Sequence, residues 1–347
     1  MKKRLLNVLL LTTLSLSSWA LEQDVEGYYL LGSADDWKAF AQLVKTNGAV
    51  NAKMTADIDL GEEVVMVGSY SSMYSGIFDG QGHTLTIKFN TAGLEREHSY
   101  LGCAPFYDIY GATIRNLHTA GSITVDQVGA AGLIGWAYGE NTVECCWSSV
   151  DIIGTNSTAD TFSGFVFRQD GSSFTYNDCV YTGKIESIKK VAHAGFTGHQ
   201  VYGTTTINNS LFILGEGSDE DEHNSFYTFV RNWYYYTPVV TNNSYYLRPW
   251  GEVQGTATTA EEMANGTTAT KLQNGREAEV WVQKDGAPML KVFAGGGTGI
   301  EHISRQATGH SAAKQWYSLD GKRMNSPQKG FNIVHLADGT TRKVVIR

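Results

Sequence analysis

Ala131-Gly132-Leu133-Ile134-Gly135-Trp136, Ser163-Gly164-Phe165-Val166-Phe167-Arg168 and Ala194-Gly195-Phe196-Thr197-Gly198-His199 are three copies of one pattern: a small residue, a glycine, then a short run rich in apolar side chains. Leu101-Gly102-Cys103-Ala104-Pro105-Phe106 precedes them and Ser225-Phe226-Tyr227-Thr228-Phe229-Val230 follows, so that the five starts lie 30, 32, 31 and 31 residues apart. A second block keeps step. It comprises Thr113-Ile114-Arg115-Asn116-Leu117, Val143-Glu144-Cys145-Cys146-Trp147, Tyr176-Asn177-Asp178-Cys179-Val180, Ile207-Asn208-Asn209-Ser210-Leu211 and, more loosely, Thr241-Asn242-Asn243-Ser244-Tyr245. A third block, Gly121-Ser122-Ile123, Val150-Asp151-Ile152 and Gly183-Lys184-Ile185, closes most units. A fixed period of roughly 20–50 residues marks a repeat architecture, and a propeller blade needs about 40 residues and four strands. Here the apolar spacing is two rather than 3.6, and each unit holds three short strands separated by Gly and Asn. The pattern predicts an all-β, right-handed parallel β-helix, a solenoid whose equivalent residues stack about 4.8 Å apart.

Stacking gives the cysteines and asparagines a place. Cys146 and Cys179 share a repeat position on adjacent coils, with Asn116 and Ser210 extending the column. A disulfide is geometrically conceivable at one sheet spacing, but a column of small buried residues with reduced thiols is the simpler reading. Asn116, Asn177, Asn208, Asn209, Asn242 and Asn243 suit turn conformations and can bond to one another along the rod. Cysteine without neighbouring histidine offers no metal site, and no cofactor motif is present.

Upstream, Gly76-Ile77-Phe78-Asp79-Gly80-Gln81-Gly82-His83-Thr84-Leu85-Thr86-Ile87 reads as strand, turn and strand, with Phe78, Leu85 and Ile87 inward. Shorter strand pieces are expected at Ala52–Leu60 and Val64–Val67. Before them Ser33 heads a capping box with Asp36, and Trp37, Phe40, Ala41 and Val44 form one apolar stripe. We expect this helix, ended by Asn47-Gly48, to close the open end of the solenoid. The boundaries are then residues 21–99 for the N-terminal cap and first coils, 100–250 for the repeats, 251–294 for a C-terminal cap with a helical turn at Thr258–Ala264, and 295–312 for a glycine-rich linker. Residues 313–347 form a small C-terminal β-module.

Residues 1–20 carry Lys2, Lys3 and Arg4, an apolar run from Leu5 to Leu16, and Ser18-Trp19-Ala20, the layout of a signal peptide. The run is too short to span a bilayer. No cysteine follows the expected cleavage site, which argues against an N-terminal lipid anchor, and no later segment is apolar enough to cross a membrane as a helix. The remaining chain carries twenty-four Lys/Arg against thirty-five Asp/Glu, a net charge of −11. Residues 21–300 hold sixteen basic against thirty-two acidic side chains, which excludes nucleic acid as the partner of the main body.

The unit Ala-Gly-Leu-Ile-Gly-Trp, a spacer, an Asn/Cys-bearing strand and a closing Gly-x-Ile resembles the GLUG motif of bacterial surface proteins. The resemblance covers roughly residues 27–295. It implies an adhesin-like, non-catalytic role, and Ser225–Val230 departs from it by lacking the glycine. Trp316–Arg323, Gly330–Val334 and Arg342–Ile346 resemble the C-terminal sorting domains of Bacteroidetes proteins carried by the type IX secretion system. That implies contact with export machinery and a secreted or outer-membrane location.

For function, Asp79 with His83 is the nearest approach to a catalytic pair, and Asp219-Glu220-Asp221-Glu222-His223 could offer oxygens to calcium but lacks the spacing of a defined site. We therefore expect no catalytic residues and no metal. Trp233, Tyr234, Tyr235, Tyr236, Tyr245, Tyr246 and Trp250 form a dense aromatic patch, read either as a cover for the last coil or as a surface for a host or dietary glycan or a protein. A carbohydrate-active β-helix lyase or hydrolase is the alternative.

Overall fold

In the computed structural model, residues 21–93, 102–126, 129–156, 161–171, 173–232 and 237–295 are described, together with strands Ala313–Tyr317, Arg323–Met324, Gly330–Leu336 and Thr341–Ile346. The expected signal peptide, most of the linker and Trp233–Tyr236 lie outside the described residues. The chain coils into a parallel β-solenoid of about five turns. One sheet stacks Tyr29–Leu31, Ala52–Met54, Ile77–Asp79, Thr113–Arg115, Asn141–Glu144, Ser173–Asn177, Thr204–Asn208 and Val239–Asn242. A second runs from Ile58–Asp59 through Thr84–Asn90, His118–Val125 and Trp147–Gly154 to Tyr245–Tyr246 and Thr256–Ala257. The third side of each coil is bent into two sheets. A narrow one holds Gly102–Cys103, Gly129–Ala131 and Phe162–Ser163, and a wider one holds Phe106–Tyr110, Ile134–Tyr138, Val166–Gln169, Thr197–Gln200 and Val230–Asn232.

The register carries the repeat into the core. Ile134, Val166 and Thr197 are parallel partners, which puts Leu133, Phe165 and Phe196 in one buried column. The rings of Phe165 and Phe196 lie 4.8 Å apart and those of Phe196 and Phe229 5.0 Å, the distances of stacked coils. The repeat's glycine has a steric cause. A Cβ on Gly132, Gly164 or Gly195 would come within 2.4 Å of the carbonyl of Gly164, Gly195 or Thr228 on the following coil.

A single left-handed residue turns the chain from the first sheet into the second: Asn116, Cys145, Asp178, Asn209 and Asn243, with φ between +48° and +55°. Asn and Asp tolerate this conformation best among L-residues, so Cys145 is the exception in the column. The predicted asparagine ladder forms beside it. Asn242 Nδ2 donates to Asn208 Oδ1 and Asn208 Nδ2 to Asn177 Oδ1, both at 2.9 Å, and Asn243 Nδ2 donates to Asn209 Oδ1 at 2.8 Å.

Three registers differ from the sequence alignment. Leu117, not Asn116, lies under Cys146, because Trp147 pairs with His118 and the inward position takes the apolar side chain. Phe106 pairs with Ile134 rather than Trp136, and Ala194 with Tyr227 rather than Ser225. Loops outside the strands absorb the unequal coil lengths. The loosely matched Thr241-Asn242 segment is in register with Ile207-Asn208.

At the N-terminal end the helix Ala34–Val44 is capped as expected: the Ser33 hydroxyl accepts from Asp36 N, and the Asp36 carboxylate accepts from Ser33 Oγ at 2.8 Å. Its C-cap is Lys45, two residues before Asn47, whose N–H still donates to Leu43 O at 3.0 Å. Trp37 and Phe40 plug the first coils, with Trp37 edge-on to Phe78 at 5.7 Å and Phe106 at 5.6 Å. Val64–Val67 forms no strand beyond a bridge from Val67 to Phe106.

Of the expected C-terminal cap, residues 252–257 add to the last coil, with Glu252 beside Tyr227, Gln254 Oε1 accepting from Phe229 N and Val230 N, and Thr256–Ala257 paired with Tyr245–Tyr246, while the rest takes another course. Helices Ala260–Ala264 and Thr267–Gln273, the hairpin Trp281–Lys284 with Ala287–Leu290, and the helical turn Lys291–Ala294 do not sit across the end of the rod. They fold back along the outer face of the second sheet. Met263, Leu272, Trp281 and Leu290 cover Val180 and Leu211, and Phe293 reaches Trp147 and His118. Outward-facing apolar side chains on successive coils, Trp147, Val180, Leu211 and Tyr245, make a hydrophobic stripe there, and covering it removes apolar surface from water.

Candidate functional site

Among the described residues of the expected aromatic patch, Tyr245, Tyr246 and Trp250 do not share one exposed surface. Trp250 is only 3% exposed; its indole Nε1 donates to the Asp219 carbonyl at 2.9 Å and its ring packs on Phe226 at 4.8 Å. Tyr246 is 8% exposed and stands in the interior column with Phe212 and Tyr181. Tyr245 is half-buried, its hydroxyl bonded to Asn243 Oδ1 at 2.8 Å and its ring beneath the C-terminal segment. Strand alternation sends Tyr246 inward and the returning segment covers Tyr245. Trp233, Tyr234, Tyr235 and Tyr236 lie outside the described residues.

Aromatic surface is found instead on the wide part of the third side. Register aligns Asp108, Trp136, Arg168 and His199 in one column over four coils, and Tyr110 beside Tyr138 in the next. Tyr110 is 59% exposed, with its ring lying over the backbone of the Gly139 turn. Trp136 and Tyr138 are half-buried and stack, centroids 5.9 Å apart and planes 27° apart. Tyr70, also 59% exposed, projects from the Ser69–Ser72 turn. Tyr202 is a further exposed ring on this side of the coils.

Charge is set into this strip. The Arg168 guanidinium lies 4.6 Å over the Trp136 ring while its Nη2 bonds Asp170 Oδ2 at 2.9 Å. His199 accepts from Arg231 Nη1 through Nδ1 at 2.8 Å, so its proton sits on Nε2, facing Thr161 Oγ1 at 2.7 Å. Burial, then Arg231, then Arg168 push the imidazole down to about 3, leaving it neutral at physiological pH. The floor is Phe167, edge-on to His199 at 5.6 Å and seated against Gly102 and Gly129, where any Cβ would strike its ring. Sequence reading missed this strip because its members are single residues about thirty positions apart. The signal was there in the repeat itself, whose sixth position reads Trp136, Arg168, His199.

The groups weighed for catalysis have structural partners. Asp79 is buried and accepts from Arg115 Nε at 2.8 Å, Asn116 Nδ2 at 3.0 Å and Gln81 N at 3.0 Å, while His83 faces Asp57 at 3.2 Å rather than Asp79. In the acidic run, Asp219 accepts from Ser187 N and Oγ, Asp221 from the backbone of Ser225, and Glu222 pairs with Lys190, so the oxygens diverge. A pair that the sequence did not suggest is Ser149 Oγ with His118 Nε2 at 2.8 Å, with Thr84 Oγ1 at Nδ1. Its ring is stacked on Trp147 at 4.2 Å and edged by Phe293 at 6.0 Å, and burial pushes it down to about 4. Such an imidazole is a weak base at neutral pH; it ties three coils together.

No protein-family model and no curated protein matches the chain. Among solved structures, a crystal structure described as a "putative immunoglobulin A1 protease" from Bacteroides ovatus is similar at 14% identity, covering 78% of this chain and 94% of that one with a TM-score of 0.47. A likeness at that level says nothing of activity. No helix among the described residues is long and apolar enough to cross a membrane.

Proposed function

We propose that this chain is an exported, non-catalytic surface module that binds glycans through the aromatic strip of its third side. The observation that carries the reading is the set of aligned rings on one face: exposed Tyr110 beside half-buried Tyr138, and Trp136 stacked on Tyr138. The C–H face of a sugar ring packs on such rings, while the phenol of exposed Tyr110 meets its hydroxyls. A rigid sheet also holds the rings in place before binding, which lowers the ordering cost. Export is supported by the layout of residues 1–20, and surface retention by the C-terminal module, whose four strands form an antiparallel sheet. The test is a glycan array with the purified mature chain, beside the Tyr110→Ala and Trp136→Ala variants and a depolymerisation assay on the glycans that bind. Glycans lost from both variants support the reading. Unaltered binding by both variants, or turnover of a bound polysaccharide, overturns it.

A further inference from the structure

The segment that covers the flank runs backwards along the coils, and this inference rests on the surface retention proposed above. Asn243 Nδ2, at the left-handed turn that follows Val239–Asn242, donates to Lys271 O at 2.8 Å. Arg276 and Trp281 hold Asp178, the turn residue two coils earlier. Phe293 reaches Trp147 and His118, one and two coils earlier still, and a Cβ on Gly82 would come within 2.7 Å of Val292 O. The segment therefore ends, at Ala294, beside the two coils that carry Tyr110 and Tyr138, since His118 follows Tyr110 and Trp147 follows Tyr138 within one turn of the solenoid. A pull from the C-terminal module enters the body there and not at the last coil.

We infer that Ala260–Ala294 is a releasable strap, which tension between a ligand on the aromatic strip and the C-terminal module peels from Phe293 backwards before any coil opens. Its hold is graded. The terminal turn Lys291–Ala294 has no fully buried side chain, and its ion pair, Lys291 with Glu279, is exposed and lies within the strap itself. The hairpin of Trp281–Lys284 with Ala287–Leu290 is a two-stranded sheet, a form with little stability of its own. Its clasp on the body is the Asp178 carboxylate, shared by Trp281 and Arg276. The coils hold differently. Their interior strands are paired on both sides and stand on columns of buried rings such as Phe165, Phe196 and Phe229. Elements with few buried contacts open first. Release moves the point of attachment from His118 and Trp147 to the last coil at Thr256–Ala257, and gives the tether up to about 120 Å of extended chain. The strip stays folded meanwhile, because its coils are no part of what opens.

An optical trap tests this on the mature chain, with handles at Glu140→Cys, an exposed turn beside the strip, and at Thr298→Cys in the linker. The C-terminal module then lies outside the load. The first extension step should lengthen the chain by no more than about 120 Å and should reverse on relaxation. A second chain, its distal handle moved to exposed Ala257→Cys, leaves the strap out of the load and should lack that step. Phe293→Ala and Arg276→Gln should each lower the force of the first step. Later steps should stay at wild-type force, which shows that the coils of the variants are folded. A first step that persists with the handle at 257, or equal falls in every step of the variants, overturns the strap. The glycan array fails or succeeds independently: a blank array with the step intact removes the glycan reading and leaves the strap standing.

Discussion

Arg276 grips the carboxylate of Asp178 with both terminal nitrogens, Nη1 to Oδ2 at 2.8 Å and Nη2 to Oδ1 at 2.7 Å, across ninety-eight residues of chain. Trp281 Nε1 donates to the same carboxylate at 2.7 Å. Asp178 is itself the left-handed turn residue of its coil, at φ +55°. One side chain thus shapes a solenoid turn and anchors the C-terminal segment to the flank. Asp178→Ala should cost about 3–5 kcal/mol, because it strands a half-buried guanidinium and a buried indole N–H and places alanine at positive φ. Asp178→Asn, which keeps an acceptor and tolerates the turn, should cost clearly less. Urea unfolding of the two variants checks the order, and equal losses would refute the anchor.

The cysteines should remain thiols even in an oxidising compartment. Cys146 and Cys179 stand on adjacent coils, each donating to backbone carbonyls, with Cys146 Sγ 3.3 Å from Glu144 O and Cys179 Sγ 3.4 Å from Val143 O. Burial pushes Cys103 and Cys145 up to about 12 and raises Cys146 and Cys179 further. Native protein should therefore react slowly with a thiol reagent at mildly alkaline pH and fully once denatured. Intact mass of protein prepared without reductant decides the point; a deficit of two hydrogens would contradict it.

Acid should weaken the fold through His118. Its folded pKa, pushed down to about 4, lies below the value of about 6.5 expected unfolded, so only the unfolded chain takes up the proton between them. Stability from this residue is complete above about 6.5 and is lost as pH falls toward 4, by roughly 3 kcal/mol. His199, pushed down to about 3, adds a loss of the same sign. His118→Gln should flatten the dependence of unfolding free energy on pH across that window. An unchanged slope would show that the imidazole is not desolvated as the fold requires.

Gly121 should tolerate no side chain. Its φ is +102°, and a Cβ there would meet the Ile87 carbonyl oxygen at 1.9 Å. Gly121→Ala should destabilise by more than about 2 kcal/mol, since the obstacle is backbone of the adjacent coil and cannot rotate away. Gly171→Ala, at φ +93° with nothing within 4 Å, isolates the conformational cost alone and should be milder. Thermal unfolding of the pair separates the two contributions.

A core deletion gives the scale for the rest. Phe196 is fully buried between Phe165 and Phe229, and Phe196→Ala should cost about 3–5 kcal/mol by removing the middle ring of the column. A loss under about 1 kcal/mol, measured by urea unfolding, would mean that the coils do not stack as described.

By itself the sequence determined that this chain coils. The recurrence of Gly-Leu-Ile, Gly-Phe-Val and Gly-Phe-Thr, the αL-tolerant Asn and Asp in the second block, and the capped stripe of Trp37, Phe40 and Val44 are local patterns, and parallel stacking repeats each constraint coil after coil until it is legible. Tertiary structure alone decided where residues meet from different coils or from outside the repeat. Leu117 displaced Asn116 beneath Cys146 because inward burial sets register, a choice that a shift of one residue reverses. The segment from Ala260 to Ala294 lay along the flank because the outer face of the second sheet offered it a continuous apolar stripe, which no single coil displays. The Trp136–Arg168–His199 column was hidden for the same reason: spaced about thirty residues apart, its members become neighbours only when the strands pair.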